Sequence, residues 1–268
     1  MRLPSAVPVL ALALLPIAAP DAAAQAAQAT TDASPPAHSL HANVSLASQY
    51  RYRGLAQTDG DPALQGGFDY SHASGLYLGT WGSNVSWLAD SNGDVSNSVE
   101  LDVYGGYRGA WGDVGYDVGV LRYLYPGSYP PGFVSPHTTE IYAAGTWRMF
   151  TLKYSHATTN LFGVPDSQGS GYLDLAANVG VGRGFALVAH VGHQRIPAGS
   201  QGGIRIRSSG DCSYTDWKLG VAKTFVGLDW SLAYVDTDAK GGIGECYRSA
   251  RNRDLGDATV VLTMGRSF

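Results

Sequence analysis

The chain has 268 residues and a formal net charge of -4, with 15% charged residues where about 25% is usual. Thirty-five glycines and sixteen tyrosines describe twisted strands and aromatic girdles rather than a soluble α/β enzyme. So mild a charge gives no ground for a nucleic-acid partner.

Residues 1–29 read as a secretory signal peptide. Met1-Arg2 is a short basic start, residues 7–19 form an apolar stretch, and residues 22–29 offer small-residue cleavage sites, with cleavage expected after Ala24 or Ala29. Pro8, Pro16 and Pro20 punctuate the run, which falls short of the roughly twenty residues a spanning helix needs. Residues 30–38 follow as a short linker and residues 39–268 as one β-barrel domain, with no later stretch resembling a transmembrane helix. In an exported chain the two cysteines, Cys212 and Cys246, read as one disulfide.

From His38 the apolar signal has period two, in segments of the ten-residue order that a tilted transmembrane strand requires. In the first, Leu40, Ala42, Val44, Leu46, Tyr50 and Tyr52 point one way, and His41, Asn43, Ser45, Gln49, Arg51 and Arg53 the other. Alternation recurs at 64–70, 76–87, 99–107, 114–120, 141–147, 150–154, 173–181, 185–191, 217–221, 228–234 and 260–268, giving about twelve strands. The facing of 76–87 is ambiguous, because Tyr77, Trp81, Val85 and Trp87 compete with Leu76 and Leu78 for the outward side and a bulge could switch register.

The links between these segments alternate in length. Short ones fall at 73–75, 109–113, 148–149, 183–184 and 226–227. Long ones, rich in Gly, Pro, Ser, Asp and Asn, include 54–62, 126–137, 197–213 and 237–256. That is the pattern of an antiparallel up-and-down outer-membrane barrel with short periplasmic turns, longer external loops and both termini periplasmic. It places Cys212 and Cys246 in the last two external loops, neighbours in space.

The polar phase of the strands carries Arg51, Arg53, Asp69, Glu100, Asp102, Arg108, Asp117, Glu140, Arg148, Lys153, Asp174, Asp216, Lys218 and Asp229. In a membrane barrel these line the pore. In a soluble sandwich or lipocalin-like barrel the same alternation would put the apolar phase inside instead. Tyr104, Tyr142 and Tyr172 share the polar phase and could narrow the bore. Twelve strands lie between the eight whose interior fills with side chains and the sixteen that leave an aqueous channel, so a plugged interior held by salt bridges stands as an alternative.

Catalytic, metal and cofactor motifs are weak. No Gly-x-Ser-x-Gly elbow or His-Glu-x-x-His helix occurs, and residues 180–184, Gly-Val-Gly-Arg-Gly, read as a turn. His190 and His193, three apart on a strand, face opposite sides, with His190 toward the lumen. Residues 90–94, Asp-Ser-Asn-Gly-Asp, have calcium-like oxygens but lack the spacing and the closing Glu, and read as a solvated turn. Ser155 and His156 fall on opposite faces of their strand, which fails the geometry a lipid hydrolase would need. The chain is therefore expected to be no enzyme and to need no cofactor.

The signal peptide and the final alternating strand ending in Phe268 resemble those of outer-membrane β-barrels of diderm bacteria, in which the terminal aromatic is the insertion signal. Residues 43–57, Asn-Val-Ser-Leu-Ala-Ser-Gln-Tyr-Arg-Tyr-Arg-Gly-Leu-Ala-Gln, are similar to the opening of the TorF-like porins. So are 62–72, Pro-Ala-Leu-Gln-Gly-Gly-Phe-Asp-Tyr-Ser-His, and 74–85, Ser-Gly-Leu-Tyr-Leu-Gly-Thr-Trp-Gly-Ser-Asn-Val. The resemblance is strong over residues 43–85, and the spacing of Glu100 to Tyr107 extends it. It implies a bacterial outer-membrane location, contact with outer-membrane lipid and with the barrel-insertion machinery, and passive diffusion of small hydrophilic solutes. The rival reading is a non-conducting barrel whose external loops bind a ligand or surface; an outer-membrane lipid hydrolase comes third.

Overall fold

The computed structural model describes residues 36–268 apart from 202 and 209; the signal peptide, both expected cleavage sites and most of the linker lie outside the described residues. The chain forms β1 (His38–Ala47), β2 (Arg51–Tyr52), β3 (Leu55–Ala56), β4 (Ala63–His72), β5 (Leu76–Asn84), a short helix α1 (Trp87–Ser91), β6 (Val99–Trp111) and β7 (Val114–Leu124). Then come β8 (Thr138–Trp147), β9 (Phe150–Ala157), β10 (Gly171–Gly182), β11 (Phe185–Arg195), β12 (Gly199–Gln201), β13 (Ile204–Arg207), β14 (Tyr214–Phe225), β15 (Leu228–Thr237) and β16 (Thr259–Ser267).

Twelve of these strands close an antiparallel barrel in the order β1, β4 to β11, β14, β15 and β16, which returns to β1. β2–β3 and β12–β13 are separate two-stranded hairpins. The closing seam pairs Asn43 with Ser267 and Ala47 with Thr263. Beyond it, Phe268 and Ala42 exchange two backbone hydrogen bonds at 2.8 and 3.1 Å. Closure leaves no ladder edge unpaired, which removes the aggregation liability of open sheets.

One end of the barrel carries short turns and the other long loops. At the short end, Arg148 (φ 54°) and the pair Val226–Gly227 (φ 55° and 71°) adopt left-handed conformations in their hairpin turns. The β10–β11 turn runs through Gly182, Arg183 and Gly184, next to a register shift between Gly180 and Gly182.

The apolar phase points outward, as the membrane-barrel alternation requires. Leu40, Leu64 and Leu219 are 70%, 62% and 61% exposed, whereas Glu100 and Asp216 are 1% and 0% exposed. That is the reverse of a water-soluble barrel, whose strands keep their large aliphatic residues inside. The segment 76–87 resolves without a register switch: Leu76 and Leu78 face out, Tyr77 and Trp81 are buried inside, and the strand stops at Asn84. Trp87 belongs to α1, not to the strand, and Leu88 beside it is buried.

Part of the glycine and tyrosine content shares a packing cause. Inward-facing tyrosines lie flat over glycines on the adjacent strand. A Cβ at Gly106 would sit 2.6 Å from the Tyr77 hydroxyl and one at Gly119 2.5 Å from that of Tyr142. Small residues thus let rings cover the wall where a larger neighbour would expel them.

Candidate channel lumen

The first long link does not begin where period two suggests. β1 leaves the wall after Ala47, and residues 48–62 fold into the barrel at its long-loop end. Tyr50 and Tyr52, expected to face lipid, are in the lumen, with Tyr50 buried. Arg51 and Arg53, expected on the strand's pore-facing side, belong instead to the inward hairpin β2–β3. The physical reason is the turn. Arg53 and Gly54 have φ of 47° and 81°, the two consecutive left-handed residues of a tight hairpin. Gly54 is required there, since a Cβ would overlap Thr237 Cγ2 and lie 2.8 Å from Asp216 Cβ. The tip therefore reaches the wall at β14 and β15.

Arg53 locks the hairpin across the bore. Its Nη2 lies 2.7 Å from Glu140 Oε2 on β8, its Nη1 donates to Gln194 Oε1 on β11 at 2.6 Å, and its guanidinium stacks over Tyr172 on β10 with 4.2 Å to the ring centroid. Both ionic partners are nearly dehydrated, with side chains 8% and 2% exposed. An ion pair in such surroundings costs several kcal/mol when one partner is removed, because the other is left buried and uncompensated. Arg51 sits higher, donating from Nε to Gln49 Oε1 and from Nη1 to the Leu255 carbonyl, both at 2.7 Å.

Around the hairpin the long-loop half of the barrel is packed. Tyr50, Trp81, Val85, Leu88, Val95, Leu121, Tyr123 and Tyr125 are buried together, and Tyr52 and Phe162 pack against them. Glu100 lies inside this cluster and accepts from the hydroxyls of Tyr50 and Tyr125, each at 3.1 Å. Asp102 is buried on the same strand, beside Trp81 in register.

The remaining charged positions form a wall of mixed sign. In register across β6 to β10, Arg108 pairs with Asp117, Asp117 with Ala144, Ala144 with Lys153, and Lys153 with Asp174. Asp174 continues through Gly192 to Asp216. Asp117 accepts from Tyr77 at 2.6 Å, Asp69 from Tyr104 at 2.5 Å, and Arg108 donates to Ser71 at 2.5 Å. Tyr77 and Tyr142 share a very short hydroxyl contact, with the Lys153 ammonium 4.2 Å from the Tyr142 ring centroid. His190 bridges Asp174 Oδ1 and Asp216 Oδ2 at 3.0 and 3.2 Å, opposite Lys218 in register, and Tyr172 donates to Asp216 at 2.8 Å. His193 is exposed on the outer side.

Asp229 lies near the short-turn end, where it accepts from Thr224 at 2.6 Å. Arg148 is not on the wall. It is an exposed turn residue with its guanidinium 4.7 Å from the Trp147 ring centroid, because a left-handed φ takes the chain out of the strand before the side chain can turn inward. Sequence reasoning did not single out Gln194 or Tyr123. Both occupy the polar phase of their strands, which was the available signal. Among the described residues no group of three or more His, Cys, Asp or Glu is placed to hold a metal ion.

The long loops interlock above this site. Cys212 and Cys246 form a disulfide with Cα atoms 5.5 Å apart, tying the last two long loops together. Tyr247, beside Cys246, donates its hydroxyl to the Cys212 carbonyl, and burial raises its phenol above the usual range. Arg251 of the last loop gathers Asp90 at 2.8 Å, Asp61 at 3.4 Å and Asp59 at 3.8 Å, and the adjacent Asp90 carboxylate raises the guanidinium's pKa. The calcium-like stretch 90–94 therefore begins as the end of α1 and an arginine partner. Arg207 donates to the carbonyls of Pro197, Pro165 and Asp166, joining the fourth and fifth long loops.

Among solved structures the chain is similar to an outer membrane channel from Pseudomonas putida F1, at 13% identity and a TM-score of 0.50, covering 90% of this chain and 99% of that one. It is also similar to the NanC porin, at 10% identity and a TM-score of 0.46, covering 85% of this chain and 98% of the other. At such identities the likeness is one of fold alone. No curated protein matches the sequence. A family model described as a bacterial protein of unknown function, Gcw_chp, matches residues 29–268, and the chain belongs to that family.

Proposed function

We propose that the protein is a bacterial outer-membrane channel for passive diffusion of small hydrophilic solutes, of the kind the TorF-like resemblance implies, with its external mouth narrowed by the β2–β3 hairpin. The observation that carries this reading is the inversion of polarity across the wall. Leucines face outward on strand after strand while Arg108, Asp117, Lys153, Asp174 and Asp216 line the inside. Lipid outside makes the leucine face favourable, and in the channel reading water inside solvates the polar one. The long loops are then external and the short turns periplasmic, and insertion falls to the barrel-insertion machinery, with Phe268 as its signal. A mixed-charge wall passes solutes according to bore and local field rather than by one sign of charge.

A liposome-swelling assay with purified, refolded protein tests this. Swelling rates that fall with the size of the sugar or amino acid support diffusion through a narrow bore. Rates equal to those of empty vesicles contradict it.

The packed external mouth and the interlocked loops favour one second reading, a non-conducting barrel whose external face binds a ligand or surface. Neither reading assigns the chain a catalytic role. Ser155 faces the lumen and His156 alternates to the other side of β9, so they cannot act as nucleophile and base.

A further inference from the structure

Arg53 belongs to a loop, yet the site that holds it belongs to the wall. Each wall partner is fixed by a bond of its own. Glu140 Oε2 accepts from the Tyr123 hydroxyl at 3.2 Å, Gln194 Nε2 donates to the Gly171 carbonyl at 3.1 Å, and Tyr172 donates to Asp216 at 2.8 Å. The carboxylate, the amide oxygen and the aromatic face thus each keep a contact within the wall, to which the hairpin adds the Tyr52 hydroxyl, 2.8 Å from that of Tyr123. A site assembled in this way persists when its occupant leaves.

Its shape fits one kind of cation. Two N–H groups of one planar group reach two separate acceptors, at 2.7 Å and 2.6 Å, while the flat face lies on a ring 4.2 Å away. A guanidinium satisfies all three contacts at once, whereas an ammonium is a point charge with no face to stack. The need for a cation is equally clear. Glu140 is 2% exposed, and without Arg53 it would lose the guanidinium bonded to it and keep only the more distant charge of Lys153 on the neighbouring strand.

We infer that the lumen contains a binding site for small organic cations bearing a guanidinium group, and that Arg53 is its tethered occupant. Resting on the channel reading above, the inference names the solute class that competes with the hairpin for the bore. The hairpin adds no strand to the barrel ladder, so its withdrawal leaves that ladder intact while giving up the packing of Tyr52 and bonds such as Ala56 N–H to the Leu255 carbonyl. A tethered group competes at an effective concentration on the order of millimolar. The native chain therefore binds such solutes weakly, and removing the tethered group frees the site.

The test is calorimetric titration of refolded Arg53→Ala with arginine methyl ester in detergent, alongside the unsubstituted protein. Arg53→Gln, which keeps polar reach toward Gln194 and Glu140, carries the comparison should the alanine variant fail to fold. The expected result is binding at least about tenfold tighter in the variant than in the unsubstituted protein. Lysine methyl ester should bind at least about tenfold more weakly than the arginine ester, and adding Glu140→Gln should abolish the gain. Equal affinity in the variant and the unsubstituted protein, or equal affinity for the two esters, would overturn the inference. Because the titration needs no open pore, a barrel that binds the ester but never conducts would sink the channel reading and keep the site. One that conducts without binding would do the reverse.

Discussion

Gly54→Ala should drive the hairpin out of the barrel without unfolding the barrel itself. At φ 81° an alanine pays about 1–2 kcal/mol for the left-handed conformation. Its Cβ would also overlap Thr237 Cγ2 and come within 2.8 Å of Asp216 Cβ, an overpacking penalty of about 1–3 kcal/mol. Together these disfavour the seated hairpin by roughly 2–5 kcal/mol, a shift of about thirtyfold to several-thousandfold in the seated-to-withdrawn ratio. None of the twelve barrel strands includes residue 54, so closure of the barrel should survive. Limited trypsin digestion reads the change directly, because the Arg53 side chain is 8% exposed when seated and cleavage after it tracks the withdrawn population. Cleavage after Arg53 should accelerate in Gly54→Ala, and single-channel current should rise with it. Unchanged cleavage in a folded variant would refute the claim that the tip is jammed against β14 and β15.

Three further substitutions probe other parts of the structure. Leu219→Arg, on the outward face of β14, should cost about 2–4 kcal/mol if that face lies in hydrocarbon, read as a lower urea midpoint in lipid vesicles; no change would place Leu219 in water. Val226→Asn should raise stability by about 1 kcal/mol, since Asn tolerates the left-handed φ of 55° that a β-branched residue resists and Asn-Gly suits a two-residue hairpin. Thermal unfolding of the two proteins side by side checks it. Cys212→Ser with Cys246→Ser opens a loop with a sequence separation of 34 and should loosen the two external loops by about 3–4 kcal/mol in the entropy model. Protease sensitivity should rise between residues 196 and 256 while the barrel keeps its heat-modifiable mobility on gels.

The wall was readable in the sequence because each strand has an apolar and a polar side, and period two records that division in every segment but 76–87, where inward Tyr77 and Trp81 compete with outward Leu76 and Leu78. The disulfide, read from two cysteines in an exported chain, agrees with the same topology, since only β14, a short turn and β15 separate the loops that hold Cys212 and Cys246. The hairpin was not readable by period. Tyr50 and Tyr52 continue the spacing of Leu40 and Leu46, and a ring buried in the lumen produces the same pattern as a ring in a lipid-facing girdle. The local clue was Arg53-Gly54, a turn-capable pair at the point where the first strand was expected to give way to the long link. Arg148 misleads for a similar reason, because strand phase carries no information past the residue where the backbone turns.

In the channel reading a water-filled bore has its external mouth set by the inward hairpin. Planar-bilayer recordings of the refolded protein, compared with a variant in which residues 50–57 are replaced by a Gly-Ser linker, test it most directly. Small, stable conductance steps that grow several-fold in the variant are the predicted result. A folded, heat-modifiable barrel that stays silent with and without its hairpin would contradict the claim and turn attention to the external loops.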